Sequence, residues 1–180
     1  MNAVAGKALT SNHFELFGLE PVFALHADSL DSAYRDIQAK VHPDRFAHAG
    51  DAERRASLQW TTRVNEAYRT LKDPVQRARH ILELHGVDVA FETNTAMPTD
   101  FLTQQMELRE RLEQAVGRKN ADVLDALRRN LAREKQSFES QIGKLIDEKH
   151  DYPAAAQLVR KLQFLDKLDA EIDAAYEAVE

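Results

Sequence analysis

Apolar side chains recur along this chain at the spacing of helices. Leu30, Ala33, Tyr34, Ile37 and Val41 stand at i, i+3, i+4, i+7 and i+11, which predicts one buried face of an amphipathic helix over about residues 29–41. A shorter helix is expected near residues 12–19. Arg45-Phe46-Ala47-His48-Ala49-Gly50 breaks the period and reads as a loop. The period resumes at about Asp51, with Trp60, Val64, Ala67, Tyr68 and Leu71 on one stripe. Asp73-Pro74 stops that helix and starts a fourth, because Asp caps a helix well and Pro suits its first position; Gly86 supplies the next stop. Helical period lapses from Val87 to Met97, where Thr93, Asn94, Thr95 and then Pro98 make a polar connection. Three longer helices follow, with breaks expected at residues 117–120 and 151–153. Leu124, Leu127, Leu131, Phe138, Ile142 and Leu145 keep the spacing of a bundle seam, as do Leu158, Leu162, Leu165, Ile172, Tyr176 and Val179. With no sustained period-2 alternation, the fold class is all-α: an N-terminal helical domain over 1–86, a linker over 87–97 and a three-helix bundle over 98–180.

Composition narrows the function. At 180 residues and 43% apolar content, two small cores fit the chain better than one large one. The net charge is −6, and residues 87–180 carry the whole acidic excess, with 13 basic against 19 acidic side chains. Wholesale binding of nucleic acid is not expected. Uncharged stretches fall far short of a membrane span, and the first residues have neither an apolar signal core nor an Arg-rich presequence, so a cytoplasmic location is expected. The chain has no cysteine, which excludes disulfides, thiol catalysis and thiolate-held metal or iron–sulfur clusters.

The tripeptide His42-Pro43-Asp44 restricts the choice most. Pro43 must end the preceding helix and push His42 into an extended conformation, which displays both polar side chains at a loop. Arg35 and Lys40 lie off the apolar stripe of that helix, where they could steer an acidic partner or simply be solvated. A second set of residues does not fit the core stripes. On the helix from about Thr99 to Val116, Phe101, Gln105, Leu108 and Leu112 share a face, while Leu102 and Met106 point away beside Thr103, Glu107, Glu110 and Gln114. Phe164 is likewise off the seam of the last helix. Apolar side chains rimmed by acids suit a protein-binding patch, although a wide bundle face could also absorb Leu102 or Phe164.

Histidines 42, 48, 80 and 85 raise the alternative of a metal site or a small helical hydrolase. No metal-ligand spacing joins them, and no nucleophile or phosphate loop accompanies His42 and Asp44.

With these residues in view, the chain resembles the J-domain co-chaperone HscB family of iron–sulfur cluster biogenesis. The resemblance rests on His13-Phe14-Glu15-Leu16-Phe17-Gly18-Leu19, on Val41-His42-Pro43-Asp44-Arg45-Phe46 and on the run from Val64 to Pro74. It rests further on Arg77-Ala78-Arg79, Leu82 to Gly86, Phe101-Leu102, Met106 to Glu110, and Arg160 to Leu168. It implies a J-domain over 1–86 and no enzymatic activity or cofactor. In the family, the His-Pro-Asp loop engages a DnaK-type ATPase, here an HscA-like chaperone, and promotes its ATP hydrolysis. By position, His42, Pro43 and Asp44 inherit that role, with Arg35 and Lys40 as helpers. The bundle of the family holds the iron–sulfur scaffold IscU, and that surface corresponds to Leu102, Thr103, Met106, Glu107, Glu110, Gln114 and Phe164. A J-domain protein serving a different client is the rival expectation. Val41, Arg45 and Asp36 depart from the common J-domain pattern, and Thr103 and Gln114 from that of the scaffold surface.

Overall fold

A computed structural model describes residues 11–89 and 97–179. Within them the chain is helical, and it divides into two compact units at the Ile81–Leu82 bond. In the first unit, α1 (His13–Phe17) begins with a capping box: the Glu15 amide donates to the Asn12 side chain at 2.9 Å, and the Asn12 amide donates to the Glu15 carboxylate at 3.2 Å. Gly18 closes it in the left-handed conformation at φ 66°, where a side chain would be strained. Helices α2 (Ala27–Val41) and α3 (Asp51–Lys72) run antiparallel, and a 3₁₀ turn, Pro43–Phe46, joins them. The expected loop is therefore shorter: Arg45 and Phe46 belong to this turn, because the His42 carbonyl accepts the Arg45 amide at 3.1 Å. Helix α4 (Pro74–Leu84) starts as expected, with the Asp73 carboxylate accepting the Gln76 amide at 2.8 Å, and Gly86 ends it at φ 73°. Phe14, Leu30, Val64, Leu71, Val75 and Ala78 fill the core of this unit.

The α2–α3 pair is less greasy than its pattern suggests. Leu30 is the one fully buried residue of α2, whereas Ala33, Tyr34, Ile37 and Val41 are half-buried. Polar and aromatic contacts complete the joint. The rings of Tyr34 and Tyr68 stack at 4.1 Å, and the Tyr34 hydroxyl donates to Asn65 at 2.9 Å. Lys72 and the Tyr68 hydroxyl both donate to the Asp31 carboxylate, at 2.7 and 3.0 Å. These bonds, from Lys72 first and Tyr68 second, hold the Asp31 carboxyl below its ordinary value, and the bond to Asp31 lifts the Lys72 ammonium above its own.

In the second unit, α5 (Thr99–Gly117), α6 (Ala121–Gly143) and α7 (Tyr152–Val179) form the expected bundle. Leu112, Leu124, Leu127, Leu131, Leu165, Leu168 and Ile172 are its core. A π-helical turn, Lys144–Glu148, follows α6, and the expected seam needs correction: Ile146, four residues after Ile142, is buried, while Leu145 is half-buried. Helix α7 begins inside the expected break, with Pro153 in its first turn and the Asp151 carboxylate accepting the Ala154 amide at 3.1 Å. Its seam runs through Val159 rather than Leu158. At the start of the expected linker over 87–97, Val89 is fully buried and its carbonyl accepts from Arg160 at 3.1 Å. Residues 90–96 of that expected linker, including Thr93, Asn94 and Thr95, lie outside the described residues.

Charge also ties α6 to α7. Lys135 reaches Asp166 and Asp169 at 2.7 and 2.8 Å. Burial alone would pull the Lys135 ammonium down, but the two carboxylates outweigh it and hold it above its ordinary value.

Two outcomes follow from this packing. Gln105 sits on the buried face of α5 at 2% exposure, and among the described residues neither its amide oxygen nor its nitrogen has a hydrogen-bond partner. An orphaned buried amide costs ~1–3 kcal/mol, so Gln105→Met, which keeps the shape and removes both groups, should raise the urea midpoint of the bundle. A lowered midpoint would show that the amide is satisfied in solution. The depressed Asp31 carboxyl stabilises the fold above its ordinary value of 3.8, and that contribution disappears as pH falls through the lower folded value. Asp31→Asn should therefore lower the thermal midpoint near pH 7, with the deficit vanishing in strong acid; a deficit independent of pH would contradict this.

Candidate functional site

Local chain chemistry sets the geometry of the His42-Pro43-Asp44 loop. Pro43 has no amide to extend α2, so His42 leaves the helix at φ −57° and ψ 132°, the extended conformation expected before a proline. The chain then tightens into the 3₁₀ turn. The Asp44 amide donates to His42 Nδ1 at 3.3 Å, and Nδ1 also lies 3.5 Å from the Asp44 carboxylate. A neutral ring accepts the amide, while a ring protonated at Nδ1 turns that proton toward the carboxylate. Both side chains stand in solvent, Asp44 at 91% and His42 at 47% exposure. An exposed carboxylate on a tight turn is well placed for charge-assisted hydrogen bonds with a partner.

The end of α2 leaves carbonyls without helical acceptor bonds, and side chains fill them. Arg45 Nη1 donates to the Ala39 carbonyl at 2.8 Å. From α3, Ser57 Oγ donates to the Val41 carbonyl at 2.6 Å, and Thr61 Oγ1 donates to the same oxygen at 3.2 Å. Sequence reasoning missed these two residues. Their signal was a polar residue in an apolar stripe: Ser57 precedes Val64 and Leu71 at seven-residue steps and is only 4% exposed.

Arg35 and Lys40 are both exposed on α2. Five residues turn a helix through ~140°, so the two cations do not share one stripe. Lys40 is close to His42 in the chain, whereas Arg35 lies more than a turn earlier.

The second set of residues gathers on α5. Phe101, Gln105 and Leu112 face the core, while Leu102 and Met106 are exposed, Met106 at 64%. Thr103, Glu107, Glu110 and Gln114 are exposed on the same helix. The structure thus places six of the seven candidate residues on the outer surface of one helix. Phe164 differs. It is half-buried, packs against the core and meets the Phe101 ring edge-on at 6.0 Å, so it joins the patch only by its outer part. That contact puts it beside the N-terminal turn of α5. Lys161 and Lys167 lie over the Phe101 and Phe164 rings at 5.4 and 5.7 Å.

The histidines are spread out. His42 and His48 are on the loop surface, His80 Nε2 accepts the His13 amide at 3.3 Å, and His85 stacks on Tyr152 at 3.9 Å. Among the described residues, no group of three or more His, Cys, Asp or Glu could hold a metal ion. None of the helices described is long and apolar enough to cross a membrane.

Known proteins resemble this chain over most of its length. Residues 97–173 match the family described as the HSCB C-terminal oligomerisation domain. A co-chaperone protein HscB homolog from Burkholderia mallei is 51% identical over 173 residues, covering 96% of this chain and 98% of the relative. The solved structure of chaperone HscB from Vibrio cholerae superimposes with a TM-score of 0.83 at 35% identity, covering 94% of this chain and all of that one. The human co-chaperone protein HscB gives 0.86 at 25% identity, with 92% and 82% covered. With a J-domain followed by a C-terminal helical bundle, and relatives matched over nearly the full length, this chain belongs to the HscB family of co-chaperones.

Proposed function

We propose that this chain is a cytoplasmic, non-enzymatic adaptor that binds the iron–sulfur scaffold IscU, delivers it to an HscA-like DnaK-family chaperone and stimulates that chaperone's ATPase. The J-domain, over 1–86, presents His42, Pro43 and Asp44 to the chaperone, with Arg35 and Lys40 steering the approach. The bundle, over 98–180, holds the scaffold on Leu102, Thr103, Met106, Glu107, Glu110 and Gln114, edged by Phe164. One observation carries this reading: an exposed His-Pro-Asp turn and an exposed apolar–acidic helix face occur on separate compact units of one chain. Each can therefore engage its own partner. Linking them raises the local concentration of scaffold at the chaperone, so neither contact has to be tight. Iron and sulfide are cargo held by the scaffold in this scheme, consistent with a chain that has no cysteine.

The two activities should come apart by mutation. Asp44→Asn is expected to abolish ATPase stimulation and leave scaffold affinity unchanged by calorimetry. Leu102→Ala with Met106→Ala should weaken scaffold binding about thirtyfold or more, since two truncated apolar anchors each cost ~1–2 kcal/mol, with helicity by circular dichroism unchanged. Stimulation that survives Asp44→Asn, or scaffold binding that survives the double substitution, would sink the corresponding assignment.

A further inference from the structure

We propose that Ser57 and Thr61 are positioning residues for the docking loop: their two hydroxyls, converging on one carbonyl, fix the peptide plane on which His42 is carried. The proposal rests on the reading of His42-Pro43-Asp44 as the chaperone-docking loop. It adds residues from a different helix.

In a continuing helix the Val41 carbonyl would accept the amide of residue 45. Pro43 diverts the chain, and the Arg45 amide goes to the His42 carbonyl instead, at 3.1 Å. The Val41 oxygen needs other donors. It receives Ser57 Oγ at 2.6 Å and Thr61 Oγ1 at 3.2 Å, from residues one turn apart on α3 and therefore on one face. Two donors match the two lone pairs of a carbonyl.

The consequence is geometric. The Val41 carbonyl and the His42 amide belong to one rigid plane, so gripping the oxygen restricts both the last torsion of α2 and the first torsion of His42. The planes beyond are held within the loop: Arg45 N–H on the His42 carbonyl, Asp44 N–H on His42 Nδ1, and Ala47 N–H on the Asp44 carbonyl at 3.3 Å. Those bonds move with the turn. The Ser57 and Thr61 bonds come from a helix anchored by the fully buried Val64 and Leu71, and so refer the loop's direction to the core. The Asp44 carboxylate is 91% exposed and so has little packing of its own; its direction follows the backbone of the turn that carries it.

The test uses the full chain carrying Ser57→Ala with Thr61→Val, and Thr61→Ser as the conservative control that keeps the hydroxyl. Amide hydrogen exchange at Arg45 and Ala47 is measured by NMR beside the amides of Val64 and Leu71, and the stimulation of an HscA-like chaperone is titrated to separate half-maximal concentration from maximal rate. The double variant should exchange about tenfold faster at the loop amides alone and need about tenfold more protein for half-maximal stimulation, as expected for two lost hydrogen bonds of modest net strength. Thr61→Ser should match the native chain in both. Unchanged loop exchange, or equal acceleration throughout α3, would overturn the proposal, the second by showing that the hydroxyls serve the helix pair as a whole. If the native chain stimulates and Asp44→Asn does not, yet the double variant titrates as native, the positioning role fails and the docking reading stands. A native chain that gives no stimulation overturns the docking reading itself.

Discussion

The inability of Pro43 to continue a helix is the constraint on which the first unit turns. Because the chain must leave α2 at His42, two polar side chains reach solvent, and the carbonyls at the end of α2 lose their helical donors. Everything around the loop answers that loss. Arg45 folds back to Ala39, the 3₁₀ turn recovers bonds within itself, and α3 supplies Ser57 and Thr61. An exposed recognition element normally sacrifices order for access. Here the access belongs to the side chains and the order to the backbone.

In the second unit one helix is buried on one side and carries exposed apolar side chains on the other. Helix α5 places Phe101, Leu112 and Ala115 inward while leaving Leu102 and Met106 in solvent among Glu107 and Glu110. Apolar anchors give a contact its affinity, and the surrounding acids keep the face soluble and bias the choice of partner. Met106 suits such a role because its flexible thioether adapts to a partner's shape. Gln105 is the exception on the buried side, an amide facing the core with no partner among the described residues.

Most of the architecture was legible in apolar spacing, because α3, α6 and α7 are long enough for the period to be unambiguous. The misreadings have local causes. The seam passes from Ile142 to Ile146 rather than to Leu145, because steps of three and four residues both fit a helical stripe and only the packing partners choose between them. The burial of Val89 was not legible, because a single apolar residue among polar ones carries no period. For the sites, helical spacing alone separated Leu102 and Met106 from the core, but could not say that Phe164 leans on Phe101. Ser57 and Thr61 escaped notice because a hydroxyl on a buried stripe has meaning only when the carbonyl it meets, sixteen residues away for Ser57, is known.

The central claim is that one chain couples two partners, and its most direct measurement is the steady-state rate of ATP hydrolysis by an HscA-like chaperone with the scaffold alone, with this protein alone, and with both. Coupling predicts a rate with both present that far exceeds the sum of the separate stimulations. A rate equal to that sum would contradict the account, leaving a J-domain and a bundle that act without reference to each other.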